Sequence, residues 1–349
     1  MNSRLTQPDF FLDEMLPDLQ FNPALTFPFS LDPNNRIPYY HQYSLNIQHQ
    51  LTSDLLLEIG YAGSSGHKLG QRLNLNQGRV DPTGTVPLSQ RVRYPQFSAI
   101  LWTYNGGNSN YNEGTLRLEK RFSQGLSLLA NYTFSKSIDS PYGRIRREHF
   151  QSERRPRGPS TFDATHRFVA SYIYDLPFGF RRPFLSGSTG FVKHLVSGWQ
   201  VNGITTFMSG QPRNIGFIGR APVVGPFSNV RADRVGPGNC SQCRENIRKN
   251  PVPGPYFRTE DFKLPADFTF GNAGRNILRA PGINNWDLSL FKNNYIGENV
   301  NVQFRAEFFN AFNHAQFTSF NATVGSPTYG RVTGAREGRD IQLALRVLF

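Results

Sequence analysis

Along this chain apolar and polar residues take turns. Near its end Val300, Val302, Phe304, Ala306 and Phe308 alternate with Asn301, Gln303, Arg305, Glu307 and Phe309. The final residues repeat the pattern, with Ile341, Leu343, Leu345, Val347 and Phe349 set against Asp340, Gln342, Ala344, Arg346 and Leu348. A period of two marks an extended strand with one apolar side, whereas a helix would show a period near 3.6. Earlier segments at 39–50, 55–63, 111–122, 126–137, 164–176, 198–208 and 283–293 follow the same rule. Most are close to the roughly 9–11 residues that carry a tilted strand across a bilayer.

Alternation alone fits two architectures. In a soluble sandwich the apolar sides point inward; in a membrane barrel they point out at lipid and the polar sides line water. The connections separate the two. Leu51-Thr52-Ser53-Asp54 and Ser123-Gln124-Gly125 predict tight hairpins. Along the whole chain the links run short, long, short, long, moderate, long, short, long. An outer-membrane barrel sorts its links this way, with short periplasmic turns and long extracellular loops. The expected fold is therefore all-β, a partial antiparallel transmembrane β-barrel of about nine strands from a larger barrel. Residues 1–38 read as a loop-like N-terminal extension, and 39–349 as the C-terminal part of the barrel. Tyr43, Tyr61, Tyr132, Phe134, Phe207, Trp286 and Phe308 fall at the loop-side ends of their strands, and Phe122, Tyr174, Trp199 and Phe349 at the turn-side ends, as two interfacial belts would require.

Composition sharpens this picture. No run approaches the ~18 apolar residues of a membrane helix, which excludes a helical membrane protein. Aromatics reach 13% in a chain of mean hydropathy −0.46, a surplus that interfacial girdles would use. The net charge of +13 raises nucleic acid as a partner. Much of the excess, however, sits in one stretch from Arg144 to Arg157, which suits anionic lipid or an anionic ligand, and no nucleic-acid partner is expected.

Chemistry is sparse. Cys240 and Cys243 form one CxxC with neither a second pair nor a His pair nearby, so zinc would lack two ligands. A disulfide within an extracellular loop is the expected state. A thioredoxin-like site needs a strand before the motif and a helix after it, and Gly236-Pro237-Gly238-Asn239 supplies neither. No GxSxG, HExxH or phosphate loop is present, His166 and His314 lack a nucleophile, and Asp163 reads as turn chemistry. No enzyme activity, cofactor or metal is expected.

Two residue sets remain as candidates. Gln48, Glu58, Arg117, Glu119, Asn131, Arg167, Asn202, Asp287, Gln303, Arg305, Glu307 and Arg346 occupy polar sides of the strands and are expected to face the lumen. Leu345, Val347 and the terminal aromatic Phe349 form an alternating end that is expected to be read by the outer-membrane barrel assembly machinery. The N-terminus carries no charged-then-apolar leader, so the chain is expected to be the C-terminal piece of a longer one.

Several stretches also resemble a known family: NRIPYYHQYSLNIQHQL, LLLEIGYAGSSGHKL, YNEGTLRLEKRFSQGLSLLANYTFSKSID, DATHRFVASYIYDLPFG, GWQVNGI, NVQFRAEFFNAFNHAQF and GRDIQLALRVLF. They are similar to the C-terminal barrel region of Oar-like TonB-dependent outer-membrane receptors, with FRAEFFNAFNH the most specific part. The resemblance implies residence in the bacterial outer membrane, against its lipid and lipopolysaccharide. It further implies uptake of a large or scarce unknown ligand, energised by the TonB complex through a plug domain of the parent protein. An anchor for surface adhesion or for secretion of extracellular material is the alternative. Nine strands are too few to close the wide barrel so implied, and unpaired strand edges cannot stand in lipid.

Overall fold

A computed structural model describes residues 28–140, 157–180, 182–218, 231–249, 254–267, 269–297 and 300–349. Nine long strands build one wall: β1 (Tyr39–Thr52), β2 (Leu55–Asn74), β3 (Leu101–Ser123), β4 (Leu126–Asp139), β5 (His166–Asp175), β6 (Trp199–Met208), β7 (Ile283–Ile296), β8 (Val300–Phe309) and β9 (Asp340–Leu348). Each pairs antiparallel with the next in sequence. The outer edges of β1 and β9 have no partner among the described residues, so the wall is an open part of a barrel.

The register puts the predicted apolar positions on one face. One row runs Ile47, Ile59, Leu116, Tyr132, Phe168, Phe207, and another Leu343, Ala306, Leu290, Val201, Tyr174, Leu126. These side chains do not meet a second sheet. Leu343 and Leu345 are about 70% exposed, at 68% and 70%, and Leu116 is 43% exposed. Burying a leucine is worth roughly 1.5–3 kcal/mol, so a face with this many open apolar side chains demands an apolar surrounding phase. A bilayer supplies one, and a sandwich interior is ruled out by the exposure.

Turn chemistry sets the short end. Gln124 (φ 51°) and Gly125 (φ 82°) both adopt left-handed backbone, as a two-residue type I′ hairpin demands. At the other hairpin Asp54 is ion-paired with Lys120 and accepts the Thr52 hydroxyl at 2.6 Å. These hydrogen bonds, Lys120 first, hold the Asp54 carboxyl well below the usual carboxylate range.

At the long end the structure departs from the sequence expectation. The long link expected between the 55–63 and 111–122 segments is strand at both of its ends, because β2 runs on to Asn74 and β3 begins at Leu101. Ladder hydrogen bonds belong to the backbone, so Gly- and Asn-rich segments pair once an apolar hairpin has aligned them. The register shifts between Gly66 and Gly70, beside Lys68 at φ 54°, mark where regular pairing is interrupted. Phe29–Leu31, inside the expected N-terminal loop, pairs parallel with Leu101–Thr103.

The described parts of the 209–282 connection, and the 310–339 connection, are not open loops. They fold over each other through short strand pairs such as Gly216–Phe217 with Thr323–Val324. Together they enclose a buried hydrophobic cluster, which includes Ile247, Phe257, Phe262, Leu278, Phe320 and Val324. The packed core thus lies at the loop end and not against the wall. The longer helices among the described residues are α1 (Gly190–Val196) in the β5–β6 connection and α2 (Ser241–Lys249) in the loop-end unit, beside a single turn at Leu88–Arg91.

Candidate functional site

The second face of the wall carries the polar candidates. Alternation within the observed register places Gln48, Glu58, Arg117, Glu119, Asn131, Arg167, Asn202, Asp287, Gln303, Arg305, Glu307 and Arg346 together on the face opposite the apolar rows. They form three groups. In the first, Gln48 Nε2 donates to Glu58 Oε2 at 3.0 Å, and Arg117 reaches Glu58 at 3.7 Å and Glu119 at 2.7 Å, with Asn131 opposite Arg117. Arg117 is substantially exposed, and such pairs contribute only about 0–1 kcal/mol. They arrange the face more than they hold it together.

In the second group Gln303 Nε2 donates to Asn293 Oδ1 at 2.7 Å and Arg305 Nε donates to Gln303 Oε1 at 2.5 Å. The Arg305 guanidinium also lies 4.7 Å from the Phe291 ring centre, and Arg346 sits across the ladder from Gln303. The third group surrounds a cleft of about 350 Å³ in which Asn202, Asp287 and Glu307 stand around Leu129, Ile204 and Phe309. Here the face is not uniformly polar. Arg167 lies apart, exposed at the loop-side end of β5.

Above this face the loop-end unit is tied to the wall by two ion pairs. Asp163, with only 1% of its side chain exposed, accepts Arg279 Nη2 at 2.5 Å, and its other oxygen accepts the Ser137 N–H at 2.6 Å. Arg275, also buried, pairs with Asp139 and donates to the Asp139 and Gly158 carbonyls at 3.0 and 3.1 Å. Beside this junction a cavity of about 430 Å³ is lined by His166, Arg244, Tyr256 and Arg279 among others. The Arg244 guanidinium lies 5.2 Å from the Tyr256 ring centre. This rim is the part that sequence reasoning missed. The partners of Arg275 and Arg279 lie 136 and 116 residues away, and no local pattern announces them. Asp163 does shape a turn, its N–H reaching Ser160 O at 3.1 Å, but its carboxylate is spent on Arg279.

The 75–100 connection is ordered by polar residues. Buried Asn76 donates to Tyr94 O at 2.9 Å and Phe97 O at 2.5 Å, while Asp81 accepts the Thr83 hydroxyl and the Val86 N–H. Those bonds hold the Asp81 carboxyl at about 2. In the loop-end unit burial pushes the Tyr329 hydroxyl up to about 12.

Cys240 and Cys243 are joined by a disulfide. A helix does follow the motif, contrary to expectation: α2 begins at Ser241, and the Cys243 N–H points to Cys240 Sγ at 3.0 Å. No strand leads into it, the nearest short one being Asp233–Arg234. Of the arginine-rich stretch, 144–156 lies outside the described residues, and Arg157 donates to Asn110 Oδ1. Leu345 and Val347 lie on edge strand β9 with their side chains exposed, and Phe349 follows it, 99% exposed.

On the apolar face the loop-side aromatics form a band. Ring centres lie 6.1 Å apart for Tyr43 and Tyr61, 6.0 Å for Phe168 and Phe207, and 5.6 Å both for Phe207 and Trp286 and for Trp286 and Phe312. At the turn end the Lys292 ammonium lies 5.6 Å from the Trp199 ring centre. Of these, Tyr43, Tyr61, Trp286 and Trp199 carry the amphipathic rings that membrane interfaces select at the two ends of an apolar band.

Among curated proteins none matches the chain. Solved structures similar to it include the Escherichia coli outer membrane transporter YddB, at 10% identity and TM-score 0.44, covering 90% of this chain and 33% of that one. The ferric-catecholate import receptor Fiu of E. coli K12 aligns at 10% identity and TM-score 0.42, covering 91% and 28%. The FrpB iron transporter of Neisseria meningitidis aligns at 13% identity and TM-score 0.39, covering 91% and 32%. The chain spans about a third of the length of these proteins. A family model described as an outer membrane beta barrel domain matches residues 5–342, nearly the whole chain. The apolar outward face, the sorted connections and this match lead to one conclusion: the chain belongs to the outer membrane beta barrel domain family and resides in the outer membrane.

Proposed function

We propose that this chain is wall and loop-end cap of a gated outer-membrane importer for a large or scarce ligand, working with a plug and the TonB energy-coupling complex. The observation that carries the reading is the sorting of the wall into two faces, with all the polar candidates on one and the apolar rows on the other. The polar face lines the lumen, the turn end faces the periplasm, and the cavity beside Arg244 and Arg279 opens at the extracellular rim. In an intact parent, deleting the plug or the inner-membrane energy partner is expected to abolish uptake-linked ligand entry. Unchanged entry would sink the importer.

The loop-end unit favours a second reading, in which the wall anchors a folded surface module for adhesion or secretion. Removing 209–282 while scoring attachment and nutrient uptake separately distinguishes them: the importer loses uptake, the anchor loses attachment.

The exposed end at Leu345, Val347 and Phe349 is proposed as the segment read by the barrel assembly machinery. Phe349→Ala, and more severely removal of 340–349, is expected to lower the amount of heat-modifiable barrel in isolated outer membranes. Normal insertion would show that this end is only another strand.

A further inference from the structure

One connection breaks the sorting. The turn-end links at Ser53-Asp54 and Gln124-Gly125 are minimal, yet the one from Leu176 to Gly198 is more than twenty residues long and folded. Within it Phe178, Phe180, Phe184, Leu185, Phe191, Val192 and Leu195 are all exposed, Phe191 by 81%. Seven large apolar side chains bare in nineteen residues, 178–196, amount to a patch and not a scatter.

The patch is braced against the wall. Phe184 N–H donates to Pro177 O at 3.0 Å and Gly179 N–H to Phe184 O at 2.8 Å, and the Phe178 and Phe184 rings lie 5.9 Å apart. Arg182 is paired at 2.9 Å with Asp175, which belongs to the polar face. Helix α1 is held on the other side. Trp199, on the apolar face, donates its indole N–H to Leu195 O at 2.8 Å, and Lys292, opposite Trp199 on that face, donates to Ser197 O. Gly198 (φ +77°) permits this approach, since a Cβ there would stand 2.2 Å from Asn293 O.

In α1 the residues Phe191, Val192 and Leu195 occupy i, i+1 and i+4, one side of the helix, while Lys193 and His194 fall on the other. The Lys193 ammonium covers the Phe180 ring at 4.2 Å. Apolar side chains on one flank, a lysine on the other and a tryptophan at the join are the features of a segment that lies in a membrane interface.

We propose that residues 178–180 and 182–196 form an interfacial foot, seated in the phospholipid headgroup layer at the turn end of the wall, its apolar side continuous with the lipid-facing surface. The proposal rests on the membrane reading of the wall. The occupant is lipid because the patch adjoins the bare apolar face at Trp199 and carries the ammonium of Lys193, a partner for headgroup phosphate, on its other flank. The foot would fix how deeply the turn end sits.

The test is nitroxide accessibility in the full-length protein, reconstituted in vesicles of phosphatidylethanolamine and phosphatidylglycerol. Phe191→Cys and Leu195→Cys are labelled singly, with Leu343→Cys as the strand reference and Ser89→Cys, in the opposite loop, as the aqueous one. Oxygen over nickel–EDDA collision ratios at 191 and 195 are expected several-fold above that at 89 and on the side of that at 343. Aqueous ratios at 191 and 195 beside a lipidic 343 overturn the foot and leave the wall standing. Low collision with both reagents at 191 and 195 means a protein partner covers them, which also overturns it. An aqueous 343 removes the membrane reading and the foot together.

Discussion

Arg279→Met is expected to destabilise the loop-end unit by about 3–5 kcal/mol, the cost of leaving a buried charge without its partner. The asymmetry of the pair makes this specific. Asp163 is almost fully enclosed, whereas the Arg279 side chain is about a third exposed, at 31%. Removing the arginine strands the carboxylate with the Ser137 N–H as its remaining hydrogen-bond donor. Removing the carboxylate, as in Asp163→Asn, leaves a guanidinium that reaches water and still has the Asp163 and Gly210 carbonyls at 3.2 Å. Arg279→Met should therefore cost more than Asp163→Asn. Chemical denaturation followed by limited proteolysis within 209–282 measures both, and equal or negligible losses would show that the junction is held by the apolar cluster and not by the pair.

Leu116→Arg is expected to destabilise the barrel in lipid by about 2–4 kcal/mol, the cost of an arginine on the lipid face near the bilayer midplane. Leu116 lies near the middle of the membrane part of β3, on the apolar face between Ile59 and Tyr132. Thr115→Arg, one residue away and on the polar face, is the control. There the guanidinium meets water, and the loss should be much smaller. Urea titration in phospholipid vesicles reports both. If the two variants unfold alike, the assignment of the faces is wrong.

Much of the wall was legible in advance because a strand's periodicity is a local property. Each of the nine predicted segments became a wall strand, with ends within a few residues except where β2 and β3 overran. Those overruns carry no sequence signal, for a physical reason. Beyond the apolar band neither face meets lipid, alternation lapses, and Gly66, Gly106 and Gly107 leave no periodic signal although the backbone continues to pair. The polar candidates were legible in kind, since every Gln, Arg and Glu opposite an apolar neighbour had to share a face. Their grouping was not, because whether Glu58 meets Arg117 depends on the register of β2 against β3.

Residue order alone thus determined the strands, their antiparallel succession, the two faces and the end at which the connections are long, since each follows from side-chain alternation and chain length between neighbours. Only the tertiary structure decided that the long connections condense around Phe257 and Phe320, and that Arg275 and Arg279 clamp them to the wall. It also decided that Phe191, Val192 and Leu195 of α1 stay exposed at the turn end. These depend on contacts between residues far apart in the chain, where burial and charge pairing, and not local pattern, select the partner.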